Sequence, residues 1–291
     1  MSDVMKVLIT GDSGFIGSNL SNYLSSLGIE VRGFSTSKGY DIFNSEQLDH
    51  FVKQVDLVYH CAAYAKPGES ITYPVKAIDI NVRGILSILE ACRKYDIPLI
   101  YPSSCEIYGN GIGPLSEESP IYPTNPYAAS KVAADRICYS YHVSYGMDIK
   151  NVRLFNPYGP KQQLNKIIPT MYFQAIMDKD ITVFGAGKDT RDYVYISDIV
   201  NGLWLANDLP KGETINLATG QETSNLDMAQ KIIRITESKS KIVFVDYPKE
   251  FGNIKNQVGT YKKAESLIGW SPKINLDEGI KKTIEWLSAT G

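Results

Sequence analysis

The chain has 291 residues, of which 43% are hydrophobic and 21% charged, as expected for a globular protein with one large α/β domain or a large domain and a smaller lobe. The formal net charge of −2 excludes a broad basic surface, so we expect no nucleic acid among its partners. The four cysteines and three histidines stand singly, without the spacing of metal ligands, so we expect reduced thiols and no structural metal.

The apolar runs of the sequence are short. Residues 6–10 and 57–60 fall far below the ~20 residues that a membrane span requires, and the amino terminus lacks the apolar region of a secretory signal. We therefore expect a cytoplasmic protein with no membrane partner.

Short apolar strands alternate with helical patterns through the first half of the chain. The predicted strands are residues 6–10, 30–34, 56–60, 98–102 and 148–155. The predicted helices are residues 15–28, about 44–54, about 72–95 and 127–145. This alternation is typical of a doubly wound parallel sheet, in which ligands bind at the carboxyl ends of the strands.

After Phe155 the alternation loosens into loop-rich segments, with helices predicted at about 196–207, 224–236 and 277–288. We therefore predict an α/β protein with a Rossmann-type doubly wound parallel sheet and a smaller, discontinuous carboxyl-terminal lobe. The larger domain is expected to comprise residues 1–155 and about 192–218, and the lobe about 156–191 and 219–291.

A glycine-rich loop follows the first predicted strand and opens the first predicted helix. In "TGDSGFIGSN" the glycines are Gly11, Gly14 and Gly17. Glycine permits a tight turn and lets backbone N–H groups approach a pyrophosphate, which the positive end of the helix dipole also attracts. The loop therefore predicts a dinucleotide site.

The end of the second predicted strand lacks the acidic residue that usually binds the adenosine ribose 2′-hydroxyl, and Ser35 stands in its place. NAD is expected as the cofactor, but NADP stays open, because Ser35, Ser37, Lys38 and Arg32 can bind a 2′-phosphate. Asp41 and Ile42 follow a few residues later and can bracket the adenine.

Tyr127 and Lys131 lie one helical turn apart in "NPYAASKVAADR", so their side chains share one face of the predicted helix. One such pair is expected by chance in a chain this rich in tyrosine and lysine. Its significance comes from Ser104, which ends the fourth predicted strand in "YPSSCEIYG".

The glycine loop, Ser104 and the Tyr127/Lys131 pair, in this order, resemble the extended short-chain dehydrogenases/reductases, particularly the nucleotide-sugar epimerases and dehydratases such as UDP-glucose 4-epimerase. The segments "HCAAYAKPGES", "DINVRGILSILEAC", "VRLFNPYGPKQ", "RDYVYISDI" and "LIGWSPKINLDEGI" continue the resemblance to the carboxyl terminus. It implies that the larger domain binds the dinucleotide and that the lobe binds a nucleotide-diphosphate sugar, with UDP as the expected nucleotide.

The resemblance implies that Tyr127 is the general base that removes a sugar hydroxyl proton while hydride leaves for the nicotinamide. Lys131 and an oxidised nicotinamide are expected to lower the Tyr127 pKa from about 10 to near 7. Ser104 is expected to hydrogen-bond the reacting oxygen, and Lys131 to hold the nicotinamide ribose as well.

The implied contacts fall into two groups. The cofactor-binding residues are Gly11, Gly14, Phe15, Ile16, Gly17, Ser35, Lys38, Asp41, Ile42, Ala62, Ala63, Asn81, Tyr127 and Lys131. The substrate-binding residues are Ser104, Asn156, Val183, Phe184 and Arg191. Among the latter, Arg191 is expected to clamp the diphosphate, although pairing with Asp189 or Asp192 is an alternative.

Departures from the family pattern leave the reaction open. Lys249 or Glu250 stands where the family has a second arginine. Glu106 matches the glutamate of 4,6-dehydratases and uronate decarboxylases, where a carboxylate can take the sugar C5 proton. Its neighbour, however, is Cys105, whereas the dehydratases have an aspartate there that protonates the leaving hydroxyl. Glu106 is therefore included among the candidate catalytic residues, together with Tyr127, Lys131 and Ser104.

The leading interpretation is a nucleotide-sugar 4-epimerase that oxidises C4 and then reduces the ketone on its other face. The alternatives are an NADPH-dependent ketoreductase, a 4,6-dehydratase or decarboxylase that uses Glu106, and a dinucleotide-binding sensor without turnover. By the same resemblance we expect a homodimer formed through the helices at about 72–95 and 127–145.

Overall fold

The structure, a computed structural model, describes residues 4–247 and 255–290. Its strands are β1 Lys6–Thr10, β2 Glu30–Phe34, β3 Leu57–His60, β4 Leu99–Ser104, β5 Ile149–Leu154, β6 Pro157–Tyr158, β7 Ile181–Phe184, β8 Thr190–Arg191, β9 Val194–Tyr195, β10 Thr214–Leu217, β11 Thr223–Ser224, β12 Ile242–Val245 and β13 Asn256–Gln257. Its α-helices are α1 Phe15–Ser26, α2 Ser45–Val52, α3 Pro67–Thr72, α4 Pro74–Ile78, α5 Gly84–Tyr95, α6 Pro126–Tyr145, α7 Ile167–Ile176, α8 Ile196–Leu205, α9 Asn225–Thr236, α10 Lys262–Ile268 and α11 Leu276–Thr290.

Six strands form one central parallel sheet in the order β10-β5-β4-β3-β1-β2. The chain order reverses between β1 and β3, because β2 lies on one side of β1 and β3 to β5 extend on the other. In such a sheet the ligand crevice lies outside the carboxyl ends of the strands at this reversal. The predicted doubly wound α/β fold is confirmed.

The sheet is covered on both faces because successive residues of a strand point to opposite sides. In β1, Val7 and Ile9 belong to one apolar cluster, whereas Leu8 belongs to a second cluster on the other face, with Phe34 of β2. The first cluster includes α1 and α8, and the second includes α2, α5 and α6. The carboxyl edge thus remains the place where polar side chains can gather.

The carboxyl-terminal part of the chain builds small sheets beside the central one. β8 pairs with β11 and β13, β7 pairs with β12, and β6 pairs with β9. Between these pieces the chain returns to the central sheet as β10, which lies beside β5. The division into residues 1–155 plus about 192–218 and a discontinuous lobe remains a prediction.

The helix predicted at about 72–95 is present from Pro74 to Tyr95 without a break, but it contains a π turn that the sequence pattern does not show. It follows α3 and comprises α4, the π-helical turn at Asp79–Arg83 and then α5. Pro74 has no N–H to continue α3 and instead occupies the first turn of α4, where a helix makes no use of that N–H. The π turn adds a residue to the helical repeat and places Asn81 in the interior.

No helix within residues 4–247 and 255–290 is long and apolar enough to cross a lipid bilayer.

Candidate active site

The glycine loop between β1 and α1 is closed by contacts that leave no room for side chains. A Cβ on Gly11, whose φ is +69°, would lie 2.6 Å from the backbone nitrogen of Ala62, and a Cβ on Gly17 would lie 2.2 Å from the Gly11 carbonyl oxygen. The Gly14 amide donates to the same oxygen at 2.9 Å. Glycine is therefore required at Gly11 and Gly17 to bring α1 against the loop.

The amino terminus of α1 remains available for an anion. Gly14 caps the helix without a side-chain hydrogen bond, and the first turn contains no acidic residue. Phe15 and Ile16 are partly buried and pack against the core, so the first-turn N–H groups have a fixed direction. This geometry fits the pyrophosphate of a dinucleotide.

Replacing Gly17 with alanine is expected to lower both dinucleotide affinity and stability, because the methyl group would overlap the Gly11 carbonyl. Calorimetric titration with NAD and denaturant unfolding measure the two effects, and the expected loss of stability is about 1–3 kcal/mol. Gly28→Ala at the other end of α1 is the control: its Cβ meets no atom within 4 Å, and only its φ of +80° is unfavourable. Equal NAD affinity of Gly17→Ala and wild type would contradict the assignment.

Near the end of β2, the basic residues that were predicted to bind a 2′-phosphate have partners within the protein. Ser35 is buried and shares a hydrogen bond of 3.1 Å with Ser37. The Lys38 ammonium forms an ion pair of 2.7 Å with Asp12, and Arg32 donates to Glu30 and to a glutamine on the neighbouring turn.

The remaining cofactor candidates surround the same edge of the sheet. Ala62 donates its N–H to the Thr10 hydroxyl at 3.3 Å, and Ala63 is exposed just beyond it. Asp41 is exposed and accepts from the Phe43 N–H, whereas Ile42 is half-buried. All of them lie at or beyond carboxyl ends of β1, β2 and β3.

Asn81 is buried and uses its amide within the protein. Its oxygen accepts from the Tyr64 N–H at 2.7 Å, and its nitrogen donates to the Ser130 hydroxyl at 2.8 Å. Asn81 thereby ties the loop after β3 to α6, one turn beyond Tyr127. Its amide group is therefore used to position this loop, and its role in cofactor binding stays a prediction.

Tyr127 and Ser104 meet at the carboxyl end of β4. Asn125 caps α6 by accepting from the Ala128 N–H at 2.8 Å, and Pro126 occupies the first helical position, so the first turn of α6 carries Tyr127. The Tyr127 phenol lies close enough to the Ser104 side chain for hydrogen bonding by that group to lower the Tyr127 pKa, and both side chains are buried.

Lys131 lies one turn further along α6 with its ammonium directed at β4. It donates to the carbonyl of Pro102 at 2.8 Å and lies 4.2 Å from the centre of the Tyr101 ring. Burial lowers the pKa of Lys131 to about 8, so the group is mainly protonated at neutral pH.

The pKa of Tyr127 moves in the direction opposite to that expected from Lys131. Burial raises it most, the negative charge of Glu106 raises it further, and the hydrogen bond with Ser104 lowers it only in part. Lys131 is not among the groups that act on the Tyr127 pKa, and its ammonium donates instead to the Pro102 carbonyl. The lysine alone therefore does not make Tyr127 a base at neutral pH.

Glu106 lies beside this pair. Its carboxylate accepts from the Asn125 side chain at 2.9 Å, so the residue that caps α6 also holds Glu106. Burial raises the pKa of Glu106, while Asn125 and the positive charges of Arg191 and Lys166 oppose the rise.

The substrate candidates do not all present side chains to this site. Asn156 donates to the Asp192 carbonyl at 3.0 Å, close to Cys105, and Arg191 is half-buried near enough to Glu106 to lower its pKa. The Val183 side chain is buried in the core, which leaves only its backbone for a ligand, and Phe184 is half-buried.

Asp192 was considered as an alternative partner of Arg191. It is buried, and both of its carboxylate oxygens accept from backbone N–H groups of Thr219, Gly220 and Gly259. Lys249 and Glu250, the positions of the missing second arginine, lie outside the described residues.

Sequence reasoning missed four polar residues that shape the site. Ser70 accepts from the Tyr127 N–H at 3.1 Å, Asn125 holds Glu106, and the positive charge of Lys166 acts on Glu106. Asp12 pairs with Lys38. Only Asn125 carried a usable signal, because asparagine before proline is a typical start of a helix.

Comparisons with known proteins agree with this geometry. A profile of the NAD dependent epimerase/dehydratase family matches residues 7–218. UDP-glucuronic acid decarboxylase 1 of Xenopus tropicalis is 30% identical over 98% of this chain and 72% of its own.

Two solved structures superimpose on nearly the whole chain. UDP-glucose 4-epimerase of Thermotoga maritima with UDP-glucose has a TM-score of 0.93 at 26% identity, covering 98% of this chain and 99% of its own. UDP-glucuronic acid 4-epimerase of Bacillus cereus with UDP-glucuronic acid and NAD has a TM-score of 0.92 at 27% identity, covering 99% and 100%. NAD, the cofactor expected from the sequence, is the one that the family description and the second complex name. The fold, the glycine loop and these matches together establish that the chain is an enzyme of the NAD-dependent epimerase/dehydratase family.

Proposed function

We propose that the protein is a nucleotide-sugar 4-epimerase that uses bound NAD and a UDP-linked sugar. The observation that carries the proposal is the buried contact of Tyr127 with Ser104 at the carboxyl end of β4, with Cys105 beside it in place of an acid. This arrangement can oxidise a sugar alcohol and return the proton, but it offers no acid at position 105 to expel a hydroxyl. The UDP linkage is inferred from the two solved relatives.

Each side chain has a separate role in the proposed reaction. Tyr127 removes the proton from the C4 hydroxyl and later returns it, while Ser104 hydrogen-bonds the same oxygen as it becomes a carbonyl. Lys131 holds the cofactor's ribose and adds positive charge on the same helix face. Arg191 binds the diphosphate with its planar guanidinium, and Asn156 contacts the sugar nucleotide.

The raised pKa of Tyr127 restricts when the phenol loses its proton. When bound, oxidised nicotinamide supplies a hydride acceptor and a positive charge next to the phenol. Burial makes such a charge more effective, because the local dielectric is low. We infer that Tyr127 keeps its proton until cofactor binding and then acts as the base.

A second function, elimination or decarboxylation through a 4-keto sugar, is favoured by the position of Glu106. Its carboxylate is fixed by Asn125 next to Tyr127, and one relative is a uronate decarboxylase. In an elimination, a carboxylate in this place can take the C5 proton that a C4 carbonyl acidifies. In a decarboxylation, the C5 carboxylate leaves as carbon dioxide, and a protonated Glu106 can give a proton to C5.

Reaction in deuterium oxide distinguishes the two functions. We expect UDP-glucose, UDP-glucuronic acid or a related UDP-sugar to give the 4-epimer without carbon-bound deuterium, because the hydride returns to C4 from the cofactor. Magnetic resonance of the product measures this. Deuterium at C5 or C6, an enone absorbing in alkali, or released carbon dioxide would instead establish the second function.

The Glu106→Gln variant is the matched test of the same question. Glutamine keeps the shape and can still hydrogen-bond Asn125, so we expect epimerisation to change by less than about tenfold, as for loss of a neighbouring charge. A loss of about 10²-fold or more would assign Glu106 to proton transfer.

The homodimer expected from the sequence remains a prediction, which light scattering tests.

A further inference from the structure

Asp12 is the second residue of the glycine loop, and its carboxylate has an unusual environment. Its side chain is only 9% exposed, and Oδ2 pairs with the Lys38 ammonium at 2.7 Å. Oδ1 is buried and has no hydrogen-bond partner within the described part of the chain. A buried carboxylate oxygen without a donor costs free energy, so a donor from a ligand is the expected complement.

The backbone of β2 is shaped to admit this carboxylate. A Cβ on Gly33 would lie 2.0 Å from Asp12 Oδ2 and 2.4 Å from the Lys38 nitrogen. Any side chain at position 33 would therefore displace the ion pair. Asp12 thus reaches across from the loop after β1 to the carboxyl end of β2, which is where a dinucleotide places its adenosine ribose.

The acidic residue that normally recognises this ribose is absent, because Ser35 follows β2. We propose that Asp12 replaces it in this role. The carboxylate accepts a hydrogen bond from the 2′-hydroxyl of NAD, neutralises Lys38 and repels the 2′-phosphate of NADP. Lys38, whose side chain is half-exposed, can shift while it stays paired with Oδ2, so that the hydroxyl reaches Oδ1. The specificity for NAD is therefore set from the glycine loop rather than from the second strand.

The proposal rests on the nicotinamide cofactor of the proposed function but not on its sugar chemistry, so binding tests it without turnover. The affinities of NAD and NADP are measured by calorimetric titration and by thermal shift for wild type, Asp12→Asn and Asp12→Asn/Lys38→Met. We expect wild type to prefer NAD. We expect Asp12→Asn to shift the ratio of the two dissociation constants toward NADP by about tenfold or more, because a charge-assisted hydrogen bond is lost and Lys38 is released.

The double variant should lose the gain in NADP affinity, since the released cation is gone. A purely structural role of Asp12 gives a different result: both dinucleotides weaken together and their ratio stays constant. That result, or a wild type that binds NADP as tightly as NAD, would overturn the proposal. If wild type has no epimerase activity but Asp12→Asn still shifts the ratio of the NAD and NADP dissociation constants, only the proposed function is contradicted.

Discussion

Replacing Tyr127 with phenylalanine should reduce turnover by at least about 10²-fold while NAD remains bound, whichever sugar reaction the enzyme performs. The hydroxyl is the only part removed, and the neighbouring Ser104 can donate to substrate but cannot replace the base. The ring itself remains in its buried place, so the fold and the dinucleotide loop should keep their stability. Steady-state kinetics on the UDP-sugar that is turned over, with calorimetric titration of NAD, measure the two properties.

Tyr139→Phe provides the matched control. Tyr139 lies on the same helix, α6, but its side chain is half-exposed and stacks near Arg136 rather than facing Ser104. The same loss of one hydroxyl should leave turnover unchanged. Full activity of Tyr127→Phe would remove the general-base assignment, and a parallel loss of NAD binding would show that the effect is structural.

The largest stability effect is expected at the ion pair behind the active site. Asp135 on α6 is fully buried and accepts from Arg153 on β5, with distances of 3.1 Å and 3.2 Å to its two oxygens. Arg153 also donates to the Tyr108 hydroxyl at 2.9 Å and to the Glu117 carbonyl at 3.0 Å. Arg153→Met should therefore lower the free energy of unfolding by about 3–5 kcal/mol, because it leaves a buried carboxylate without its main partner. Urea unfolding at pH 7 measures it.

Arg136 offers the control, since it pairs with the same carboxylate from a side chain that is 48% exposed. Arg136→Met should cost less than about 1 kcal/mol of unfolding free energy.

The stability of this ion pair also depends on pH. Burial acts to raise the pKa of Asp135, but the hydrogen bonds and charge of Arg153 outweigh it and hold that pKa below its usual value. The stabilisation is therefore complete above the unfolded-state value of about 3.9 and is lost as the pH falls through the lower folded-state value. Equal effects of the two arginine variants would contradict this account.

Much of the fold was predictable because strand residues that are buried on both faces form short, continuous apolar runs. β1 was predicted with its observed ends and β3 within one residue, and α6 was predicted to within one residue at its start. The helix at about 72–95 was predicted within two residues of its observed start at Pro74, but its internal π turn was not, because the apolar pattern does not show where the helical repeat changes. The pairing of β10 with β5 joins distant segments, which local patterns do not encode.

The proximity of Ser104 and Tyr127 was predictable from the sequence, because the carboxyl end of a strand and the start of a following helix meet at the ligand edge. The charge contacts and pKa values of these side chains were not predictable from the sequence. The direction of the Lys131 ammonium depends on the Pro102 carbonyl, and the direction of the Tyr127 pKa depends on burial that only the folded chain defines. The same holds for Asp12, whose partner Lys38 is separated from it by the whole of α1 and β2.

Asn125 links the start of α6 to the position of Glu106. Serine or aspartate at that position would also start α6, but serine would release Glu106 and aspartate would repel it. One substitution at position 125 can therefore alter the surroundings of Glu106 without losing the helix that carries Tyr127. Position 125 is therefore a place to begin directed evolution.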